Sequence, residues 1–405
     1  MTKKGYKSVP WLFGKEIEIP EEWEVKRLGQ LAKFASGEFL PESKQVNGKI
    51  PVYGGNGITG WHNQSLINNS TIVFGRVGAY CGIVYLTENK SWITDNAIFV
   101  KELSNDLDLK YLFLYLSRLN INLLAEVSAQ PKISQGILNH IGIKFPIDKK
   151  EQQKIATILS NIDSLIESTR QVIENSKSLK TGLVQKLLTR GIGHTKFKKV
   201  PWFYGKEIEI PEEWNVKLIN ELGNVVRGAS PRPAGDSKFF GGIIPWITVA
   251  ELTKDNQMYL KSTSSTLTNE GKQQSRFLES GTFVIANSGA TLGVPKILRI
   301  SGCANDGIAV ILELKGIISE FLYYRIFSWI DLLRNVNQGI GQPNLNTTII
   351  GKLKIPLPPL PEQQKIATIL SNIDSKITSQ EQYKEKLLLL KKSLMQKLLT
   401  GEVRV

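Results

Sequence analysis

The fourteen residues EQQKIATILSNIDS occur twice, letter for letter, at 151–164 and at 362–375, an offset of 211 positions. A second pair repeats at a different offset: VPWLFGKEIEIPEEW at 9–23 returns as VPWFYGKEIEIPEEW at 200–214, 191 positions on. The chain is therefore a tandem duplication whose second copy carries a net twenty extra residues between its opening box and its repeated helix. The offset of 211 already holds where TIVFGRVGAYCG, from Thr71, aligns with TFVIANSGATLG, from Thr282; Gly78 falls over Gly289, Gly82 over Gly293 and Asp95 over Asp306. The insertion lies earlier, mostly between the Ile50-Pro51 and Ile244-Pro245 pairs and these strands. Later the register never slips, since LVQKLLT at 183–189 matches LMQKLLT at 394–400. Periods this long suit a duplicated domain with a built-in spacer rather than a solenoid. Drift alone would blur boxes and intervening segments alike. Near-identical boxes around divergent segments argue for one task shared by the boxes and two different tasks for the segments.

The repeated stretch opens a helix. Apolar residues recur at heptad spacing through Ile155, Ile158, Ile162, Leu165, Val172, Leu179 and Leu183, with Thr169 and Ser176 in the polar gaps. The second copy reads Ile366, Ile369, Ile373, Tyr383, Leu387, Leu390 and Leu394, with Ile377 beside the Lys376 that breaks the seam. Gly191 and Gly401 stand where each helix should stop. A helix of about 36 residues is roughly 54 Å long and cannot bury its seam inside a small domain. Its nearest partner is its own copy. Two equal helices running antiparallel imply a pseudo-twofold axis, the symmetry that dimeric DNA readers use to present two half-sites. Here the two readers share one chain and differ, so the expected target is two different short sequences at a fixed gap.

The divergent segments, about 24–150 and 215–361, hold short β-like runs (TIVFGRV, CGIVYL and AIFV; IIPWITV, TFVIA and IAVIL) and helical patterns near 109–124 and 321–336. This is an α+β architecture of two mixed α/β globular domains and two long antiparallel coiled-coil helices. The expected boundaries are 1–150, 151–190, 191–361 and 362–405, with the repeated boxes opening the first and third. Loops between strands are where base-reading groups belong. The first domain offers Lys44, Lys49, Asn56, Arg76, Tyr80, Gln130 and Lys132; the second offers Arg227, Ser230, Arg232, Lys238, Asn287, Ser288, Thr291, Gln342 and Asn344. Arg matches the acceptor pair of guanine, and Asn and Gln match adenine. Ser, Thr and Lys mostly hold phosphates. Each alone is more readily a turn or solvated surface residue, and each group carries more weight than its members.

Charge supports the same partner. Fifty-one Lys+Arg against thirty-seven Asp+Glu leave a formal +14, which favours a polyanion. Cys81 and Cys303 make no disulfide framework, the amino terminus has no apolar leader, and no stretch approaches ~20 apolar residues, so a soluble protein of the reducing cytoplasm, not of a membrane, is expected. Enzyme motifs fail. GGNGITG at 54–60 spells G-x-G-x-x-G, but no helix or spaced acid follows, and it reads as a hairpin turn. There is no phosphate loop, no methyltransferase cofactor loop, and no metal-like grouping of His62, His140 and His194. Asp255, Glu270 and Lys272 have a nuclease-like composition, yet EGK lies in the polar run TNEGKQQS and reads as a solvated turn. No catalytic or metal site is expected in this chain.

The phrase IPLPPLPEQQKIATILSNIDS at 355–375, the run FFGGIIPWITVAEL and the two-unit layout resemble the specificity subunit of type I restriction-modification systems over essentially the whole chain. FPIDKKEQQ at 145–153 departs from it by lacking the Pro-Leu-Pro lead. The resemblance implies two target-recognition domains, each reading half of a split sequence in double-stranded DNA, with the helices as a ruler. It also implies that two modification subunits dock on the helices and boxes and methylate adenine with S-adenosylmethionine. A restriction subunit would add ATP- and Mg-dependent translocation and cleavage, and this chain would bind no cofactor itself. Two other readings compete: a standalone methyltransferase or nuclease with an unrecognised site, and a scaffold that binds two copies of a protein and no nucleic acid.

Overall fold

EIEIP alternates polar and apolar side chains, the pattern of a strand with one buried face, and both opening boxes fold accordingly. In the computed structural model, which describes residues 4–11, 15–41, 46, 48–126, 130–202, 207–288, 291–335 and 345–405, Tyr6–Pro10 pairs antiparallel with Glu16–Pro20. Phe197–Pro201 pairs with Glu207–Pro211 in the equivalent register. The tryptophan ending each box, Trp23 or Trp214, is fully buried.

The chain forms two compact units, residues 1–171 with 381–405, and residues 172–380. This division falls inside both long helices, so each unit holds the first part of one helix and the last part of the other. In the first unit, strands Ala32–Ser36, Ala97–Leu103, Ile72–Gly75 and Val84–Leu86 form a sheet in that order. Beside it a smaller sheet runs Gly57–His62, Ile50–Gly54, Trp92–Ile93. The second unit builds a five-stranded sheet from Asn224–Arg227, Ile308–Leu312, Phe283–Ala286, Pro295–Leu298 and Tyr259–Leu260, and a second sheet around Phe240–Ile247. The shared skeleton shows in the parallel pairing Val52↔Trp92, which recurs as Trp246↔Cys303. Both cysteines are buried free thiols, and burial raises their pKa. GGNGITG is the hairpin expected, with Gly54 opposite Gly57 and Gly57 at φ +77°. EGK is not a turn: Asn269–Gln273 is a short helix capped by the Thr268 hydroxyl. Nor is Asp255 merely solvated, because it pairs at 2.6 Å with the buried Lys296 ammonium.

The two long helices are Lys149–Arg190, of 42 residues, and Leu360–Leu398, of 39, both longer than the spacing predicts. Gly191 (φ +65°) and Gly401 (φ +76°) follow them, as expected of left-handed stops. The helices are antiparallel. In the first unit Ile155, Ala156 and Leu159 share a core with Leu398, and Asp163 pairs with Lys391 at 2.5 Å. In the second, Ile366, Ala367 and Leu370 share a core with Leu187 and Leu188, and Asp374 pairs with Lys180 at 2.6 Å. Each ion pair is the other shifted by 211 positions.

The seam needs a correction. The inward face of the first helix steps by 4 and 3 through Ile155, Leu159, Ile162, Ile166, Thr169, Ile173, Ser176 and Lys180 to Leu183 and Leu187. The second repeats it position for position from Ile366 to Leu398. The predicted Ile155, Ile162, Leu183, Ile366, Ile373, Leu387 and Leu394 lie on it, and Ile158 packs beside it. Leu165, Val172, Leu179, Ile369, Tyr383 and Leu390 instead face outward, Leu179 being 56% exposed and Leu390 48%. Thr169 and Ser176 lie on the seam as expected, and the slip is confined to the alternate positions, where Ile166, Ile173 and Lys180 face inward in place of Leu165, Val172 and Leu179.

Inside EQQ, the central glutamine is a staple. Gln152, fully buried, accepts from the Asp108 amide at 2.7 Å and donates to the carbonyls of Asp106 and Pro146. Gln363, also fully buried, accepts from the Ile318 amide at 2.9 Å and donates to Gly316 and Pro358. Asp108 and Ile318 are the N-cap residues of helices Leu109–Arg118 and Ser319–Phe327, so each staple fixes a long helix to a helix of its own unit.

Candidate nucleic-acid interface

In the first unit four turns meet at one edge of the sheets. Val77 bridges to Lys132, the Gly78 amide donates to Pro131 at 3.0 Å, and the Ile133 amide donates to Arg76 at 2.9 Å. The Arg76 amide reaches the Asn96 carbonyl at 3.0 Å, and its guanidinium reaches the Asp95 carbonyl at 3.3 Å. The hairpin bearing Asn56 closes the group, since a Cβ on Gly55 would stand 3.3 Å from the Asn96 carbonyl. The structure thus gathers Asn56, Arg76, Tyr80, Gln130 and Lys132. Lys49 sits apart, before Ile50–Gly54 and at the far end of that strand from Asn56. Lys44 lies outside the described residues. Burial, and then Tyr80, push up the phenol of Tyr85, which packs against Gly57.

The second unit gathers more charge. The guanidinium of Arg227 donates to the Asp306 carbonyl, and Arg276 Nε donates to the Arg227 carbonyl at 2.7 Å. Ser230 Oγ donates to Asp306 Oδ1 at 2.7 Å, and Arg232 Nη2 stands 3.5 Å from Oδ2. The Arg232 amide meets Gln274 Oε1 at 3.4 Å, and Thr268 Oγ1 donates to the Lys238 carbonyl at 2.7 Å. Arg227, Arg232, Lys238, Lys272 and Arg276 all remain exposed, a cationic surface suited to a phosphate backbone.

Lys272 and Arg276 were not legible as part of this group. They approach it because Arg276–Leu278 pairs antiparallel with Gly302–Ala304, a register no local pattern announces. Asn287 departs from expectation: it is buried, its amide donating to Gly307 and its carbonyl accepting from Leu345, so it ties two loops together rather than facing solvent. Ser288 and Thr291 flank it, half-buried, while Gln342 and Asn344 lie outside the described residues.

No grouping of His, Cys, Asp and Glu that could hold a metal occurs among the described residues, nor does any helix long and apolar enough to cross a membrane.

The model of the type I restriction modification DNA specificity domain matches twice, over residues 20–175 and 211–389. The type I restriction enzyme MjaVIII specificity subunit of Methanocaldococcus jannaschii is 28% identical, the alignment covering 96% of this chain and 95% of that one. The EcoprrI specificity subunit of Escherichia coli is 30% identical over 163 residues. In fold, the chain is similar to the type I restriction-modification S subunit from M. genitalium, with a TM-score of 0.64 at 18% identity, covering 93% of this chain and 96% of that one. A chain from a structure of type I R-M complex assembly gives 0.56 at 13% identity. Two domain matches across most of the sequence, on a duplicated fold with paired long helices, place this chain in the type I restriction-modification DNA specificity family, whose role is DNA target recognition.

Proposed function

We propose that the chain directs a DNA-modifying complex to a two-part sequence, the loops of each unit reading one part and the paired helices setting the gap. The observation that carries this reading is the contrast between what repeats and what does not. The helix seam recurs in position, and the glutamine staples and the Lys180–Asp374 and Lys391–Asp163 pairs recur in the atoms that make them. The loop clusters do not: one presents Asn56, Arg76, Tyr80, Gln130 and Lys132, the other a group of arginines and lysines. Identical scaffolding under different reading surfaces is what an asymmetric two-part target requires.

The outward apolar residues Leu165, Val172, Leu179, Ile369, Tyr383 and Leu390 recur at multiples of seven within each helix, giving a second apolar line beside the buried seam. They suit the docking of helices from two modification subunits, one for each copy of the repeat. In this reading adenine methylation with S-adenosylmethionine, and any ATP- and Mg-dependent restriction, belong to those partners and to a restriction subunit. This chain binds none of these cofactors and works in the cytoplasm. Purified together with a modification subunit, it should confer methylation on duplexes carrying one bipartite sequence. Methylation regardless of sequence, or cleavage by the isolated chain, would contradict the reading.

A further inference from the structure

The two units share one turn and use it in opposite ways. Strand Ala32–Ser36 ends at Gly37, and strand Asn224–Arg227 ends at Gly228. A Cβ on Gly37 would collide with the carbonyls of Ile93 and Thr94, and one on Gly228 with those of Ala304 and Asn305. The Gly37 amide donates to Ala97 at 3.1 Å and the Gly228 amide to Ile308 at 2.9 Å. An arginine donates to the carbonyl of the turn's aspartate in each unit, Arg76 to Asp95 and Arg227 to Asp306. The frames match, and the residue two places after each glycine does not: Phe39 in one, Ser230 in the other.

In the second unit, Ser230 and Arg232 engage the Asp306 carboxylate, and the Arg232 side chain remains 70% exposed. In the first, Phe39 supplies no hydroxyl and is itself 70% exposed. The Asp95 carboxylate has no hydrogen-bond or ionic partner among the described residues. It lines an open cleft of about 810 Å³ with Phe39, Thr59, the half-exposed Trp61 and Asn96. A bare carboxylate facing a polyanion is repelled unless a donor meets it. In the major groove the donors are the exocyclic amines of cytosine and adenine, whereas guanine and thymine offer O6 and O4 acceptors.

We infer that Asp95 reads an amine-bearing base in the half-site of the first unit, while Asp306 acts as a positioning residue that aims Arg232 at a guanine in the other. This rests on the two-part recognition proposed above and assigns a reading group to each part.

The test uses the complex with its modification subunit and a duplex library carrying every base at every half-site position. Asp95→Asn should lower the preference for cytosine or adenine about 5- to 100-fold at one position of one half-site only. The base whose preference is lost says which amine is read. Arg232→Ala should abolish a guanine preference at one position of the other half-site. Asp306→Asn should weaken the same preference and add nothing to Arg232→Ala. Melting curves check folding, which Asp95→Asn should leave unchanged because that carboxylate holds nothing in place. Unchanged preferences in an active Asp95→Asn complex, relaxation at a guanine or thymine position, or uniform loss of methylation by a folded variant would overturn the inference. A wild-type complex with no two-part preference would instead sink the reading on which it rests.

Discussion

Gln152 and Gln363 show how much one letter of a repeat can carry. Each fills both ends of its amide with main-chain partners in a site closed to water, the arrangement in which a lost hydrogen bond is most costly. Gln363→Ala should lower the stability of the second unit by about 1–3 kcal/mol, read by urea unfolding, with faster amide exchange at Ile318. An unchanged midpoint would mean that the staple is incidental. The neighbouring glutamates diverge although the thirteen residues that follow each are identical. Glu151 accepts from Arg404 at 2.8 Å and 2.9 Å. Glu362 accepts from the Ile192 amide, His194 and Trp214 at 2.9–3.1 Å. Neither role is readable in EQQ, because the partners lie far away in sequence: Arg404 is 253 positions from Glu151, and Trp214, at the end of a box, 148 from Glu362. All four of these constant side chains hold groups of their own unit.

At the scale of elements, period was legible and phase was not. Heptad spacing identified both long helices, glycines their stops, and short β-like runs the strands at 72–75, 97–103, 283–286 and 308–312; the hairpins of the opening boxes were not read from the sequence. Thr169 and Ser176 lie on the seam as the spacing has them, but at alternate positions the reading takes Ile158, Leu165, Val172 and Leu179 where the inward residues are their neighbours Leu159, Ile166, Ile173 and Lys180. With two adjacent apolar residues at three of these steps, the sequence does not fix the phase. The lysine is tolerable there because Asp374 meets its ammonium, which also stands 5.5 Å from the centre of the Phe327 ring. The two phases make opposite claims about adjacent residues. Ile173→Ala should destabilise by about 2 kcal/mol or more, whereas Val172→Ala should stay within about 0.5 kcal/mol; equal effects would mean the seam is misplaced. The outward line has its own test. Leu179→Glu with Leu390→Glu should leave the melting curve of the chain intact and weaken capture of modification subunits at least tenfold in a pull-down titration. Retained capture would move the docking surface elsewhere. The candidate interface was half legible for a related reason: local turns pointed to Arg76 in the first unit and to Arg227 and Arg232 in the second, but only strand pairing brings Arg276 to Arg227.

For the molecule as a whole, the charge suits the duplicated architecture: a formal +14 favours a phosphate backbone as the surface that two reading units would share. If the helices set the gap, inserting one heptad into each keeps the seam in phase. That change should lengthen the tolerated gap between half-sites and leave both half-sites unaltered, and altered half-sites would mean that the helices also shape the reading surfaces. The central claim is that one chain reads two different sequences at a fixed separation. Mapping every methylated adenine laid down by the complex in DNA free of other methylation tests it most directly. The account predicts a single motif of two unlike parts around an unspecified gap of constant length. One continuous motif, or methylation without a motif, would contradict it.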